Sequence, residues 1–175
     1  MPLDALYKCW HIYPRMDDRY YATDLISDIL SGGGSSRLFQ SLVKEKQLFS
    51  NIDCYHFGST DAGLMTIEGK LVKGVDIKVA EASVLEELKK IQADGITDVE
   101  LEKVKNKAES AMAFEDMGLM NRASSIAMYE LLGDANLINT ELAKYQAVTA
   151  AQIKEQCNVI FNENNCSTMY YLSND

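Results

Sequence analysis

The order in which two hydrophobic periodicities occur along the chain limits its fold more than any other feature of the sequence. A period of two, typical of half-buried strands, occurs at residues 6–13, 51–57, 64–71 and 166–172. The two middle segments flank the turn-rich residues 58–63, GSTDAG, which predict a hairpin. We therefore expect a sheet in which this hairpin is joined by strands from both ends of the chain.

A period of three to four residues, typical of helices with one buried face, fills the segments between the strands. It predicts helices near residues 22–30, 36–46, 75–93, 97–132 and 149–161, and a weaker helical segment at 135–145. Thr97 with Glu100, and Thr149 with Gln152, match the capping-box pattern at two helix starts. The longest of these helices is expected to bend or break near Gly118.

Length and composition indicate one globular domain. A chain of 175 residues with 47% hydrophobic residues and two prolines can bury roughly 70% of its unfolded surface without disulfide or metal support. The order strand, helices, hairpin, helices, strand resembles a split β-α-β arrangement. The predicted fold is a two-layer α+β sandwich, with a mainly antiparallel sheet of four or slightly more strands covered by helices on one face.

The charge of the chain argues against nucleic-acid binding. Its formal net charge is -9, and no cluster of Lys and Arg offsets this locally. No apolar run reaches the roughly 18 residues of a membrane span, and no signal-peptide pattern opens the sequence. We expect no membrane span, and any targeting signal would lie upstream in a longer parent protein.

Three consecutive glycines, Gly32, Gly33 and Gly34, raise the question of phosphate binding. A phosphate loop needs G-x-x-x-x-G-K-[ST] between a strand and a helix. Here the glycines follow a predicted helix, and the next lysine is Lys44. Nucleotide binding is therefore not expected, whereas glycine directly after a helix has a structural role in ending it.

The other catalytic motifs are also missing from the sequence. His11 is followed by IYPR and His56 by FGST, so neither H-E-x-x-H nor H-x-x-E-H occurs, and no G-x-S-x-G is present. We expect no bound metal and no catalytic residue, although a cysteine paired with one of these histidines stays open. The absence of C-x-x-C pairs favours buried free thiols at all four cysteines: Cys9, Cys54, Cys157 and Cys166.

Three blocks of sequence resemble one protein family. LSGGGSSRLF at residues 30–39, GITDVELEKVK at 95–105 and LGD at 132–134 are similar to the non-catalytic C-terminal domain of the pitrilysin and mitochondrial-processing-peptidase family of inverted-zincin metallopeptidases. The likeness extends over nearly the whole chain. It implies that residues 1–175 form a single zinc-free domain from a longer two-domain protein.

The resemblance also implies a division of labour. In this family one domain binds zinc through H-x-x-E-H, and a similar domain without those ligands closes a peptide-holding chamber opposite it. The expected partners are therefore a zinc-bearing homologous domain, in the same chain or a separate subunit, and a peptide substrate. This chain alone would not be an enzyme, while its parent would be a zinc-dependent metalloendopeptidase.

Candidate site residues follow from the same resemblance. The expected substrate-binding residues form the loop after the first helix: Gly32, Gly33, Gly34, Ser35, Ser36 and Arg37. Helix termination alone is the alternative for the glycines, and a structural ion pair is the alternative for the arginine.

Many members of the family hold the peptide backbone with an arginine and a tyrosine. Val43 and Ser50 stand at those two positions here, and valine cannot donate a hydrogen bond. The loss of both side chains leaves a second hypothesis open, a catalytically dead scaffold that keeps the peptidase fold.

Overall fold

The computed structural model describes residues 3–58, 60–115 and 117–173, and within them the chain forms one four-stranded sheet covered by helices. The strands are β1 (Ala5–Ile12), β2 (Phe49–Phe57), β3 (Gly63–Leu71) and β4 (Cys166–Tyr171). Their order across the sheet is β2-β3-β1-β4, and all three pairings are antiparallel. The first and last strands of the chain are therefore neighbours.

Most of the remaining chain is helical. The α-helices are α1 (Tyr20–Ser31), α2 (Ile77–Asp94), α3 (Asp98–Glu115), α4 (Leu119–Leu131), α5 (Glu141–Ala147) and α6 (Ala150–Ile160). A π-helical segment (Phe39–Glu45) precedes β2, and two short 3-10 segments (Ala135–Asn139 and Glu163–Asn165) precede α5 and β4.

Apolar and polar side chains alternate along the strands, and the apolar face of the sheet packs against the helices. Leu6, Trp10 and Ile12 of β1 are buried, whereas His11 between the last two is exposed. Lys8 also lies on the buried face, where its ammonium group donates to Glu81 at 2.8 Å and to the Thr168 hydroxyl at 2.7 Å. A buried charge is tolerated there because it is paired and hydrogen-bonded.

The core lies between the sheet and α1, α2 and α6. Ile26, Ile67, Ile91 and Ile153, one from each of these helices and one from β3, are fully buried. These positions follow the helical and strand periods of the sequence, so the expected two-layer α+β fold with a four-stranded antiparallel sheet is confirmed.

Of two local details, one is as expected and the other differs. The long helix predicted from Thr97 is divided into α3 and α4, with Gly118 at the N-cap of α4, which is the break expected there. The helix predicted from Ser36 is π-helical over Phe39–Glu45. Its wider turn buries Leu38 and Leu42 but leaves Phe39 only half-buried, so these three side chains do not share one face as expected.

Helix α4 differs from every other α-helix described here because none of its residues is buried. Within the described part of the chain, no helix combines the length and apolar character that crossing a membrane requires.

Candidate functional site

The glycine loop begins where α1 ends. Gly32 is the C-cap, and its amide donates to the Asp28 carbonyl at 2.7 Å. A Cβ at Gly32 would clash with that same carbonyl, and Gly33 has a φ of 102°, which L side chains rarely adopt. The first two glycines are therefore required by the turn itself.

The outer part of the loop is open to solvent. Gly33, Gly34 and Ser35 are exposed, and a Cβ added at Gly34 would meet no atom within 4 Å. The Ser35 hydroxyl accepts a hydrogen bond from Lys103 Nζ at 2.6 Å, which connects the loop to α3. Glycine leaves the backbone of this stretch open to solvent, although the Gly34 carbonyl already accepts a hydrogen bond from the Gln40 side chain.

Ser36 and Arg37, the last two candidates of this loop, face the interior. Ser36 is 1% exposed, and its hydroxyl has no hydrogen-bond partner within the described residues. The Arg37 guanidinium donates from Nε to Glu100 Oε1 at 2.7 Å and from a terminal nitrogen to Oε2 at 2.9 Å. It also donates to the Gly95 carbonyl at 3.0 Å. The N–H donors of the Arg37 guanidinium are thus engaged by a bidentate ion pair with Glu100 and by the carbonyl at the end of α2.

This ion pair is part of a helix cap. Glu100 accepts the Thr97 amide at 2.9 Å, while the Thr97 hydroxyl accepts the Glu100 amide at 3.2 Å. The hydrogen bonds from Arg37, and then the Thr97 amide, lower the pKa of Glu100 to about 2 despite the opposing effect of burial. Arg37 therefore fastens the glycine loop to the junction between α2 and α3.

Val43 and Ser50 lie at different depths. Val43, in the π-helical segment, packs half-buried against the core. Ser50 is exposed at a bulge in β2, because Phe49 pairs with Leu71 and Asn51 with Lys70, so Ser50 has no register partner. Its hydroxyl donates to the Lys70 carbonyl at 3.1 Å. Substitution at Ser50 would therefore disturb the fold less than substitution at Val43.

The two histidines are far from equivalent. His11 is exposed on β1, whereas the ring of His56 is held by the Tyr20 hydroxyl at 2.8 Å and by Asp24 Oδ1 at 3.2 Å. Burial raises the pKa of Tyr20 to about 12, which keeps its hydroxyl protonated. Within the described ranges, no three His, Cys, Asp or Glu side chains are grouped to hold a metal ion.

All four cysteines are free thiols, but the burial expected for all of them is wrong for Cys9 and Cys166. Cys54 and Cys157 are buried, and desolvation raises the pKa of both thiols, that of Cys157 to about 12. Cys9 and Cys166 are half-buried, and the sulfur of Cys9 lies 3.4 Å from the Thr66 hydroxyl. A thiol that stays protonated is a poor nucleophile, so the two buried cysteines are unsuited to catalysis.

One cluster of polar side chains was not expected from the sequence. Arg15, between β1 and α1, forms an ion pair with buried Glu141, and its guanidinium lies 4.4 Å from the centre of the Tyr20 ring. It also donates to the Tyr129 hydroxyl at 3.3 Å, and Tyr21 donates to Glu141 at 3.1 Å. The side chains of this cluster come from distant parts of the chain, so no local sequence motif predicts it.

Comparison with known proteins supports the sequence resemblance. The family model described as "Peptidase M16 inactive domain" matches residues 1–108. The chain is 26% identical over 147 residues to the "Uncharacterized zinc protease YmxG" of Bacillus subtilis (strain 168), covering 83% of this chain and 36% of that protein. It is 29% identical over 148 residues to the "Uncharacterized zinc protease SCO5738" of Streptomyces coelicolor, covering 80% of this chain and 30% of that protein. The chain thus spans about a third of each relative.

A solved structure has the same fold. The inactive peptidase domain of a zinc protease from Bordetella parapertussis superposes with a TM-score of 0.90 at 18% identity, covering all of this chain and 93% of that one. At this level of identity the likeness concerns the fold alone.

Proposed function

Because this chain belongs to the family of peptidase M16 inactive domains, we propose that it binds peptide and closes the chamber of a zinc metallopeptidase. In this proposal the hydrolytic site lies in a homologous domain that carries zinc on an H-x-x-E-H motif. That domain is either part of the same parent chain or a separate subunit. Residues 1–175 then act as one zinc-free domain of a larger peptidase.

The family match carries the proposal. It covers the glycine loop, the π-helical segment, the hairpin and most of α3, and both relatives are named as zinc proteases. Because each relative is much longer than the matched region, an additional domain of comparable size fits within it. Zinc in that domain would supply the activated water for peptide hydrolysis.

The exposed loop supports peptide contact. Gly33 and Gly34 present exposed backbone without side chains of their own, next to the Gln40 side chain on the Gly34 carbonyl and a Ser35 hydroxyl held by Lys103. A peptide in extended form is recognised mainly through backbone hydrogen bonds, which need close approach. Within the predicted site we assign this contact to Gly33, Gly34 and Ser35, and we assign to Arg37 the task of holding the loop in place.

Reconstitution tests the proposal. The 175-residue chain and the H-x-x-E-H domain encoded in the same gene or beside it are purified separately, and hydrolysis of a fluorogenic peptide library is followed. We expect neither protein alone to cleave efficiently and the mixture to do so, with activity lost on chelation and restored by zinc. Hydrolysis by the 175-residue chain alone, or no hydrolysis by the mixture, contradicts the proposal.

Substitution at Gly34 tests the peptide contact in the same mixture. Gly34→Trp adds bulk where the fold leaves open space, so the chain still folds and the loop becomes obstructed. We expect kcat/KM to fall roughly tenfold or more, mainly through KM, because a displaced peptide loses binding energy of about 1.4 kcal/mol or more. Gly34→Ala is the matched control and should leave KM nearly unchanged. Equal KM values for both variants would remove the loop from the site.

Val43 and Ser50 support a second candidate function, that of a scaffold which keeps the peptidase fold without a role in hydrolysis. Val43 cannot donate a hydrogen bond, and the Ser50 hydroxyl already donates to the Lys70 carbonyl at 3.1 Å, so the guanidinium and phenol of related domains have no equivalent here. The scaffold function requires that the parent protein and its genomic neighbours lack H-x-x-E-H. It also requires that the chain bind a partner without enabling cleavage.

A further inference from the structure

The end of α3 and α4 carry a group of exposed apolar side chains, which we call the α4 surface. Seven of its large apolar side chains are between 42% and 89% exposed: Phe114, Met117, Leu119, Met120, Ile126, Met128 and Leu131. Single exposed apolar residues are ordinary on proteins, but a cluster of this kind marks a binding surface. Four of the seven residues are exposed by more than three-quarters: Met117, Leu119, Met120 and Leu131.

The contacts of α4 do not explain its stability. The helix has 13 residues, none of them buried, and an isolated helix of about 12–15 residues is only marginally stable in water. It packs chiefly on the 3-10 segment that follows it, and Tyr129 connects it to Arg15 through a 3.3 Å hydrogen bond. A further surface packed over this helix would therefore add to its stability.

A cavity beside α4 shares Ile126 with this surface. It measures about 840 Å³ and lies between α3, α4 and α5, with Met112, Ile126, Ile138 and Leu142 among its lining residues. Charged and amide side chains, including Glu109, also line it. A mixture of apolar and polar side chains suits a surface that receives apolar side chains from a partner protein.

We propose that the α4 surface docks onto the zinc-bearing domain, whose apolar side chains fill this cavity. The inference rests on the proposed function and specifies which surface of this chain holds the two domains together. The occupant follows from two observations. Most of each relative's length lies outside the matched region, and an unsupported helix needs a cover that remains in place, as a domain interface does and a transient peptide does not.

Charge substitution on α4 tests the docking. Leu119→Lys/Leu131→Lys changes the two most exposed apolar residues of α4, at 89% and 82% exposure, so the free chain should fold and melt like the wild type. We expect its Kd for the zinc-bearing domain, measured by calorimetry, to rise about 100-fold, since two buried anchors contribute about 1.4 kcal/mol each. Val79→Lys/Val159→Lys adds equal charge at exposed apolar positions of α2 and α6 and should bind normally.

Hydrogen exchange provides a second readout. Amides of residues 119–131 should exchange rapidly in the free chain and become protected in the complex, with little change in α2. If the α4 variant binds and activates the zinc-bearing domain like the wild type, the docking inference is wrong while the proposed function stands. If α4 is instead protected by self-association of the chain, a second copy is the occupant and the inference is also overturned. A wild-type chain that does not bind the zinc-bearing domain rejects both proposals.

Discussion

At the residue scale, Arg37 shows how one side chain can join a loop to a helix start. Its guanidinium spans the Gly95 carbonyl, where α2 ends, and Glu100, in the first turn of α3. The sequence predicted the Thr97–Glu100 capping box because that pattern is local. It could not show that Glu100 has a second partner 63 residues away, which depends on how the helices pack.

Glu100 gives a testable pH dependence. Hydrogen bonds from Arg37, the largest cause, lower the pKa of its carboxyl from 4.5 to about 2. Since the folded-state pKa lies below the unfolded one, the carboxylate stabilises the fold above about pH 4.5, and this stabilisation is lost as the pH falls toward 2. The Arg37–Glu100 pair is partly exposed, so we expect it to contribute about 1 kcal/mol to the free energy of unfolding.

Urea unfolding of the wild type and Glu100→Gln at about pH 6 and about pH 3 measures this contribution. The difference in free energy of unfolding between the two proteins should be smaller at the lower pH. Glu102→Gln, at an exposed position of the same helix, is the control for removing one carboxylate. A difference between wild type and Glu100→Gln that does not change with pH would contradict the prediction.

At the element scale, the helices and strands with strong local signals were predictable. The Thr149–Gln152 capping box is present at the start of α6, and Gly95 ends α2 with a φ of 76°. The division between α3 and α4 at Gly118 follows from glycine's low helix propensity. Each of these features depends on a few consecutive residues, which is why the sequence contains it.

Features that depend on distant residues were not predictable in the same way. The pairing of β1 with β4 joins the two ends of the described chain, and no local pattern specifies it. The exposed state of α4 was also missed, because its apolar residues resemble those of a buried helix when only the sequence is known. Within the glycine loop, no local pattern distinguishes exposed Gly34 from buried Ser36.

The Arg15–Glu141 pair connects the loop before α1 with α5, and it is the strongest candidate for a stabilising contact between elements. Their side chains are 14% and 6% exposed. Arg15→Met leaves Glu141 buried without its cation, and we expect the free energy of unfolding to fall by about 3–5 kcal/mol. Urea unfolding with circular dichroism measures the loss.

Arg19→Met is the matched control for Arg15→Met, since Arg19 pairs with Asp17 at the surface and is 52% exposed. It should lower stability by less than about 1 kcal/mol. The double variant Arg15→Met/Glu141→Leu should recover much of the loss, because no unpaired charge remains. Equal losses of unfolding free energy for the Arg15 and Arg19 variants would show that burial does not increase the contribution of the Arg15–Glu141 pair to stability.

At the scale of the whole molecule, the two candidate functions differ in whether a peptide passes Val43 and Ser50 in the assembled protein. The chain supplies an exposed loop, a clamped helix junction and an uncovered helix, but Val43 has no hydrogen-bond donor and the Ser50 hydroxyl already donates to the Lys70 carbonyl. Restoring the arginine and tyrosine of the family at these positions in the reconstituted complex therefore distinguishes a substrate-binding peptidase domain from a scaffold.

Val43→Arg/Ser50→Tyr restores a guanidinium and a phenol that can donate to a peptide carbonyl. Ser50 is exposed, and the long stem of arginine lets a half-buried position 43 carry its charge to solvent. If peptide passes these positions, we expect kcat/KM of the complex to rise about tenfold, which corresponds to about 1.4 kcal/mol of added transition-state stabilisation. Val43→Leu/Ser50→Phe adds similar apolar bulk without hydrogen-bond donors and should give no increase.

The pattern across these variants distinguishes the alternatives. A rise only with the donor-bearing pair supports a peptide path along the π-helical segment and the start of β2. A rise with both pairs would mean that bulk rather than hydrogen bonding is responsible. Unchanged rates in a complex that already cleaves peptide would mean that the substrate passes elsewhere. A complex that forms but stays inactive with every variant favours the scaffold, because the restored donors then have no reacting carbonyl to stabilise.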